Sequence, residues 1–267
     1  MTSRLKTLVR DALPAATQVP LKFYLNCWLG GHEPEMALLP HLVKRGDHVI
    51  DVGGNRGTYA YRLTKLGAEV EVFEPNPACF NVLQAWALGH PSVTIHPVGL
   101  SDHGGQIQLR IPVDEQGIEH DASASMEPHA FAHAREQSVE LRMLDSFDFR
   151  DVGFIKIDVE GHEFNTLLGG MHLIARCRPA LLVEIEQRHL QRPIRSVFQL
   201  LAGAGYRGLF LDDRILKPIE SFDVEVDQST TAIGTKGARY INNFLFLHAG
   251  KVADGVHAEL LSSYGVA

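Results

Sequence analysis

The segment His48-Val-Ile-Asp-Val-Gly-Gly-Asn-Arg-Gly57 decides the fold. Its first residues are an apolar run that predicts a buried strand, and the glycines that follow predict a tight turn. A helical pattern then extends from Thr58 to Leu66, and Gly67 suits the end of that helix. A strand, a glycine-rich turn and a helix in this order are typical of the first unit of an α/β sheet, where N–H groups at the helix start can face a ligand.

The same alternation of strand and helix patterns continues along the chain. The strand at Glu69–Phe73 is followed by Asn76 as a helix cap and by Pro77 in the first helical turn. Further strands are predicted at 92–97, 106–111, 139–143, 153–159, 180–185, 209–211 and 244–247. This order predicts an α/β fold with a doubly wound, mostly parallel sheet that binds ligands at the carboxyl ends of its strands.

We expect a single domain at residues 48–248, preceded by an N-terminal helical extension at 1–47 and followed by a C-terminal tail at 249–267. A polar segment from Val113 to Gln137 separates two of the alternating strands. A loop of that length in a compact domain is more often a substrate lid or a specificity element than a passive connection. We therefore assign this segment to recognition of the substrate.

Composition excludes several classes of protein. The 267 residues carry a net charge of −7, and no segment concentrates lysine and arginine, so nucleic acid is not an expected partner. The cysteines Cys27, Cys79 and Cys177 form no closely spaced pair, which favours a reducing compartment. No apolar run approaches the roughly 20 residues of a membrane span. We expect a soluble, cytoplasmic protein.

A short basic amphipathic pattern precedes Pro14. Leu5, Leu8, Val9 and Leu13 recur at helical spacing, with Arg4, Lys6 and Arg10 between them. Such a helix packs on the body of the protein or makes weak contact with a membrane surface, and the first interpretation is the more economical.

The glycine-rich turn indicates what kind of cofactor the sheet holds. A dinucleotide site needs the spacing G-x-G-x-x-G, but counting from Gly53 puts Asn55 and Thr58 at the second and third glycine positions. Asp51 instead offers a carboxylate to a charged ammonium group. Glu74, after the second strand, can accept hydrogen bonds from both hydroxyls of a ribose. Together they predict a site for an adenosyl amino acid.

Several segments resemble the FkbM family of methyltransferases, and the resemblance extends over roughly residues 49–248. They are Asp51-Val-Gly-Gly-Asn-Arg-Gly57, Phe73-Glu-Pro-Asn-Pro77, Gly99-Leu-Ser-Asp102, Lys156-Ile-Asp-Val-Glu-Gly-His-Glu163, Arg178-Pro-Ala-Leu-Leu-Val-Glu184 and Asn243-Phe-Leu-Phe246. The fourth segment is much more specific than a glycine-rich turn. The resemblance implies a class I methyltransferase fold with S-adenosylmethionine as cofactor.

The resemblance also implies roles for individual residues. The methionine part of the cofactor would be held by Asp51, Gly53, Asn55 and Gly57, the ribose by Glu74, and the adenine neighbourhood would contain Ser101 and Asp102. Gly54 and Pro75 would also belong to the cofactor site. The chain departs from the family at Gly54, where alanine is more familiar, and over Val113–Gln137, which matches no family segment.

The catalytic residues are expected after the Gly153–Val159 strand. Methyl transfer from a sulfonium is an in-line displacement, so the enzyme aligns the acceptor and, for a hydroxyl, removes its proton. Asp158, Glu160 and His162 follow one another at this strand end, and we expect this cluster to supply the base. The simpler alternative is that Glu160 and Glu163 cap the next helix while His162 faces solvent.

Two further sets of polar residues have structural or metal-binding interpretations. Lys156, inside a buried strand, needs a partner such as Glu184 or Glu186, which predicts a structural ion pair. Asp158 and Glu184 could bind a divalent ion, but no run of ligands has the right spacing. A second group, His120, Asp121, His129 and His133, lies in the polar loop without paired cysteines, so we predict no metal site.

The function implied by the resemblance is O-methylation of a hydroxyl on a sugar, a glycolipid or a secondary metabolite, that is, of a small-molecule or glycan acceptor. Two alternatives remain open. One is a nucleotide-dependent oxidoreductase, which the glycine spacing disfavours, and the other is a catalytically silent module that binds the cofactor on the same fold.

Overall fold

The computed structural model describes residues 13–29, 31–115, 117–120, 123–127, 133–232 and 238–265. The helix predicted over Leu5–Leu13 lies almost entirely outside these residues. Within them, no helix is both long enough and apolar enough to cross a bilayer.

Eleven strands form within the described residues. Their bounds are β1 His48–Val52, β2 Glu69–Phe73, β3 Val93–His96, β4 Gly99–Leu100, β5 Gly105–Pro112, β6 Ala134–Arg142, β7 Val152–Ile157, β8 Ala180–Glu184, β9 Tyr206–Asp212, β10 Ile215–Pro218 and β11 Asn243–His248.

The same residues contain ten α-helices. Their bounds are α1 Ala15–Leu29, α2 Leu39–Leu42, α3 Thr58–Leu66, α4 Pro77–Ala87, α5 Glu163–Leu168, α6 Met171–Cys177, α7 Arg195–Gly203, α8 Val224–Asp227, α9 Ala249–Ala253 and α10 Ala258–Tyr264.

Eight strands build one sheet in the order β10-β9-β11-β8-β7-β1-β2-β3. The strands from β8 to β3 run parallel, whereas β11 is antiparallel to both β8 and β9, and β10 is antiparallel to β9. The doubly wound, mostly parallel sheet predicted from the sequence is confirmed. Strand β10 was not predicted, because its four residues carry no periodic pattern.

Successive side chains along each strand point to opposite faces of the sheet, and they pack into two hydrophobic cores, one on each face. In β1, Val49 belongs to the core beneath α1 to α4 and α10, whereas Ile50 and Val52 belong to the core beneath α5 to α7. Asp51 therefore lies on the face of α1 and α3. This parity decides which polar side chains meet at the carboxyl edge of the sheet.

Strands β4, β5 and β6 form a separate three-stranded sheet beside the carboxyl edge of the main one. Residues 134–137, which we placed in the polar loop, belong to β6 and pair with 109–112 of β5. The loop is therefore shorter at its C-terminal end than predicted. This end of the strand could not be predicted from the sequence. Neither of its faces is buried deeply enough to require an alternation of apolar and polar residues.

The segments on either side of the predicted domain also join the core. Leu38 and Leu39, before β1, are completely buried, and so is Leu260 of α10. Helix α1 packs against α3 and α4. Over the residues that the structure describes, the predicted extension and tail thus form part of the same packed body.

The junction between α5 and α6 gives a test of this packing. Gly169 lies against the strand-end backbone, and a Cβ atom there would stand 1.9 Å from the carbonyl oxygen of Ser101. We expect Gly169→Ala to lower the free energy of unfolding by roughly 1–3 kcal/mol, as overpacking does. Gly203→Ala, at the end of α7, where a Cβ has no neighbour within 4 Å, is the matched control and should cause no loss. Urea unfolding of both variants measures the difference, and equal stabilities would contradict this packing.

Candidate functional site

Four polar side chains lie in a row at the carboxyl edge of one face of the sheet. Asp51 stands beside Lys156 in the pairing of β1 with β7, and Glu184 stands beside Asn243 in the pairing of β8 with β11. Two residues before or after each of them, the same strand carries an apolar residue of the core beneath α1 to α4, such as Val49 or Phe154. Strand parity therefore brings these four side chains to one face at the carboxyl edge of the sheet.

Lys156 is completely buried at the centre of this row. Its Nζ donates a hydrogen bond to Oδ1 of Asn243 at 2.9 Å, lies 3.8 Å from Oε2 of Glu184 and stands 5.0 Å from the ring centre of Tyr59. Burial lowers the pKa of Lys156, but the carboxylates of Asp158 and Glu184 outweigh it and hold that pKa above its ordinary value. The ion pair predicted for this lysine is formed with Glu184.

Glu186, the other partner considered for Lys156, is engaged elsewhere. Its Oε2 accepts a hydrogen bond from Nε of Arg188 at 2.6 Å, and it also contacts the hydroxyl of Tyr240. These hydrogen bonds hold the pKa of Glu186 below its ordinary value, against the opposing effect of burial.

Asp51 is 2% exposed, and its Oδ2 has no hydrogen-bond partner among the described residues. Burial raises its pKa to about 7, although the charge of Lys156 opposes the rise. An orphaned buried carboxylate oxygen is costly unless a bound group satisfies it. Asp51 therefore has the chemistry to receive a cationic hydrogen-bond donor.

A cleft of about 670 Å³ opens in front of Asp51, and we call it the Asp51 cleft. The glycine-rich turn and Tyr59 form one wall, while α1 and the segment after it form another. The lining includes Lys22, Asn26, His32, Glu33, Met36, Asp51, Gly53, Gly54, Asn55, Thr58, Tyr59, Lys156 and Asp158.

The glycine-rich turn packs too closely for side chains at two positions. Gly53 has φ +78°, and a Cβ there would stand 1.8 Å from the carbonyl oxygen of Asp158. At Gly54 a Cβ would stand 2.2 Å from Cγ1 of Val72. The departure at Gly54, where the family more often has alanine, thus has a physical reason in this chain, because Val72 fills the space.

A second cleft of about 550 Å³ lies on the other side of the turn, and we call it the Glu74 cleft. Oε2 of Glu74 accepts a hydrogen bond from the backbone N–H of Asn55 at 2.6 Å, and Oε1 accepts one from that of Asn76 at 2.7 Å. The carboxylate is therefore held in place before any ligand binds. Pro75 lies in the same lining, and Gly53, Asn55 and Asp158 line both clefts.

The two residues assigned to the adenine neighbourhood lie just beyond this lining. The Glu74 cleft includes Val98, Gly99 and Leu100, but not Ser101 or Asp102. Ser101 is buried, and Asp102 is partly exposed beside His103, with 2.7 Å between Oδ1 and Nδ1. The wall of the Glu74 cleft in this region is therefore formed by the backbone and the apolar side chains immediately before Ser101.

The structure divides the predicted catalytic cluster. Asp158 and Glu160 line the Glu74 cleft, whereas His162 does not. His162 is buried, with Nε2 2.8 Å from Oγ of Ser101 and Nδ1 2.6 Å from Oε1 of Glu127. It does not face solvent, which was the simpler alternative for this residue.

Glu160 stands at a tight turn with φ +48° and contacts His189, with 3.2 Å between Oε2 and Nε2. Burial raises its pKa to about 8, and the negative charges of Asp158 and Glu186 add to that rise. A carboxylate with a pKa near neutrality is suited to accept a proton from a bound hydroxyl.

The polar loop borders this site. Oγ of Ser125 donates a hydrogen bond to the backbone oxygen of Glu160 at 2.6 Å, and Ala124 and Met126 line the Glu74 cleft. Two residues of the loop's histidine group, Asp121 and His129, lie outside the described residues. Among the described ones, no group of three or more histidine, cysteine or acidic residues is arranged to hold a metal ion.

Sequence reasoning missed the contribution of the segment after α1. Oε2 of Glu33 accepts hydrogen bonds from the hydroxyl of Tyr59 at 2.5 Å and from Nδ2 of Asn243 at 3.3 Å. Glu35 nearby is buried, which raises its pKa to about 7. The two glutamates around Pro34 were the only local signal, and they carry no periodicity that would indicate burial.

Glu163, at the start of α5, makes the stability of this region depend on pH. It is 2% exposed, Oε1 accepts a hydrogen bond from the N–H of Gly161 at 2.8 Å, and burial raises its pKa to about 8. Between about pH 5 and 8 the folded chain retains a proton here that the unfolded chain releases, so stability falls as pH rises through this range. Glu163→Gln resembles the protonated form and should remove this loss, so that the variant is more stable than the wild type by on the order of 5 kcal/mol at pH 9 but by little at pH 5.

Urea unfolding at the two pH values measures the effect. Glu259→Gln, at an exposed position of α10, is the control and should leave the pH dependence unchanged. A Glu163→Gln variant with the wild-type pH dependence would show that Glu163 is ionised in the folded protein.

Comparisons with known proteins bear on the identity of this fold. A model of the methyltransferase FkbM domain matches residues 51–207. Hexuronic acid methyltransferase AglP of Haloferax volcanii is 31% identical over 144 residues, which are 53% of this chain and 57% of that protein. The chain thus matches little more than half the length of this curated relative.

The solved structures that match this chain have low sequence identity to it. Methyltransferase FkbM from Methylobacillus flagellatus is 17% identical, with a TM-score of 0.48 over 90% of this chain and 57% of that chain. Fibrillarin from Aeropyrum pernix, in complex with natively bound S-adenosylmethionine, is 12% identical, with a TM-score of 0.43 over 79% of this chain and 72% of that chain.

The matched residues 51–207 include the glycine-rich turn, Glu74 and the Lys156–Glu163 segment, which carried the resemblance, whereas Asn243–Phe246 lies outside them. The match covers more than half of the chain, and the sheet has the class I architecture that the resemblance implied. The chain therefore belongs to the methyltransferase FkbM domain family.

Proposed function

We propose that this chain transfers a methyl group from S-adenosylmethionine to a hydroxyl of a sugar-containing acceptor. The observation that carries the proposal is the buried Oδ2 of Asp51, which has no hydrogen-bond partner among the described residues and lines one of two adjoining clefts in a chain of this family. When bound, the cofactor supplies an electrophilic methyl group on a positively charged sulfur.

The residues present fit such a cofactor. Asp51 would accept a hydrogen bond from the ammonium of its amino-acid end, and the fixed carboxylate of Glu74 would accept from the ribose hydroxyls. The linings of the two clefts also contain the carboxyl groups of Glu33, Asp158 and Glu160. Negative charge favours a sulfonium over a neutral ligand.

Asp158 lines both clefts, so we assign the reacting end of the site to its neighbourhood. Glu160 would accept the proton of the acceptor hydroxyl, because it faces the Glu74 cleft and has a pKa near neutrality. His162, held by Glu127 and Ser101 behind the lining, would act as a positioning residue for this turn.

The relative supports the acceptor class that we propose. The name of the Haloferax volcanii protein specifies a hexuronic acid as substrate. We propose a sugar acceptor of this kind for the present chain as well. The loop around Ala124 and Met126, which lines the Glu74 cleft, would contact it. The spacing of the glycine-rich turn, which lacks the dinucleotide pattern, counts against the oxidoreductase alternative.

The role of Glu74 can be tested by binding. We expect Glu74→Ala to weaken the binding of S-adenosylhomocysteine by roughly tenfold or more, because charge-assisted hydrogen bonds to the ribose are lost. Glu69→Ala, at the exposed start of the same strand, is the control and should bind as the wild type does. Isothermal titration calorimetry gives the affinities.

Because Glu74 also holds the backbone of Asn55 and Asn76, a second comparison separates the two roles. The wild type should bind 5′-methylthioadenosine more tightly than its 2′-deoxy form, and Glu74→Ala should bind the two equally. If the penalty for losing the 2′-hydroxyl persists in the variant, Glu74 does not contact the ribose.

The role of Glu160 predicts a pH profile. A base works only when deprotonated, so turnover of a uronic acid glycoside should rise with pH through about 8, the value to which burial raises the pKa of Glu160. Glu160→Gln should keep its affinity for S-adenosylhomocysteine, lose the rise, and turn over about 10²–10⁴-fold more slowly. Glu140→Gln, at an exposed position of β6, should keep the wild-type profile. Wild-type turnover by a folded Glu160→Gln protein would show that the base lies elsewhere.

A further inference from the structure

We infer that Lys22 of α1 binds the carboxylate at the amino-acid end of the cofactor, so that a helix outside the matched family domain completes the cofactor site. The inference rests on the proposed function, because it concerns the same cofactor. It assigns a ligand-binding role to a residue for which the motifs of the family provide no position.

Helix α1 is fixed directly against the glycine-rich turn. Val19 is completely buried, and its Cγ1 would stand 2.9 Å from a Cβ at Gly57. Nη1 of Arg56 donates a hydrogen bond to Oε1 of Gln18 at 3.1 Å. Since residues three and four apart share a helix face, Lys22 follows these two contacts on the same side of α1. The backbone of α1 at Lys22 therefore has a fixed position relative to the turn.

The exposure of α1 confirms this orientation. Leu21, Tyr24 and Leu25 are exposed, and Trp28 is 83% exposed, whereas Lys22 is partly buried and lines the Asp51 cleft. On a helix that packs its apolar face against the protein, a lysine would ordinarily extend into water. Here several hydrophobic side chains of α1 are on the outside, and the lysine lines the cleft.

The charges in the Asp51 cleft are complementary to a zwitterion. The amino-acid end of the cofactor carries one ammonium and one carboxylate, so its site needs an acceptor and a cationic donor. Asp51 is the buried acceptor. Lys156 has no exposed surface, whereas Lys22 is partly exposed, so Lys22 is the lysine that a ligand can reach among the described residues that line this cleft.

The electrostatics of the cleft agree with this position. Burial raises the pKa of Asp158, and the charge of Lys22 is near enough to oppose that rise. Lys22 is thus within electrostatic reach of the residue that lines both clefts. We place the carboxylate between the glycine-rich turn and α1, where Lys22 lines the same cleft as Asp51.

Two ligands that differ only in the amino-acid end test the inference. S-adenosylhomocysteine carries the carboxylate, whereas 5′-methylthioadenosine lacks the whole amino-acid end. We expect Lys22→Met, which removes the charge but keeps the length of the side chain, to weaken S-adenosylhomocysteine binding about tenfold, which corresponds to about 1.4 kcal/mol, and to leave 5′-methylthioadenosine binding unchanged. Calorimetry of the full chain measures both, and Lys22→Arg should retain most of the affinity.

Lys65→Met, at an exposed position of α3 away from the clefts, is the matched control and should alter neither affinity. If Lys22→Met binds S-adenosylhomocysteine as the wild type does, or weakens both ligands equally, the role of Lys22 is wrong while the proposed function stands. If the wild type binds neither ligand, the proposed cofactor is wrong, and the role of Lys22 falls with it.

Discussion

The buried ammonium of Lys156 is the constraint on which the site depends. A lysine with no exposed surface is tolerated only when hydrogen bonds and opposite charges replace its hydration, and removal of one partner is strongly destabilising. Asn243 and Glu184 provide that environment, and Asp51 and Asp158 add negative charge around it. The strands that carry these residues must therefore keep their register. The polar edge of the sheet consequently has one geometry, on which the glycine-rich turn and the clefts are built.

Much of this arrangement could be predicted from the sequence because it is local. The apolar run before Asp51, the spacing of the glycines and the cap at Asn76 each determine their own surroundings, and the strands and helices predicted from them are present. Strand parity also predicts that Lys156 and Asp158 share a face. Contacts between distant segments could not be predicted in this way. Glu33 meets Asn243 across 210 residues, and no periodicity in either segment indicates that contact.

The position of His162 illustrates the same limit. Its place after the Lys156–Asp158 strand end could be predicted, but the direction of its side chain depends on the turn at Glu160 and on Ser101 and Glu127, which come from other parts of the chain. The polar loop shows the converse. Its length suggested a role at the site, and the hydrogen bond from Ser125 to the backbone of Glu160 anchors it beside the clefts, although no pattern in the loop indicates that contact.

The position of β11 in the sheet has a consequence for biosynthesis. This strand lies between β8 and β9, yet it is the last of the described strands to leave the ribosome. While it is still being made, β9 and β10 can pair only with each other, and the edge of β8 stays open. Lys156 meanwhile lacks the acceptor that Asn243 provides. The nascent chain must therefore keep a hydrated lysine and an unpaired strand edge until β11 emerges, and the open edge makes it prone to aggregation during that interval.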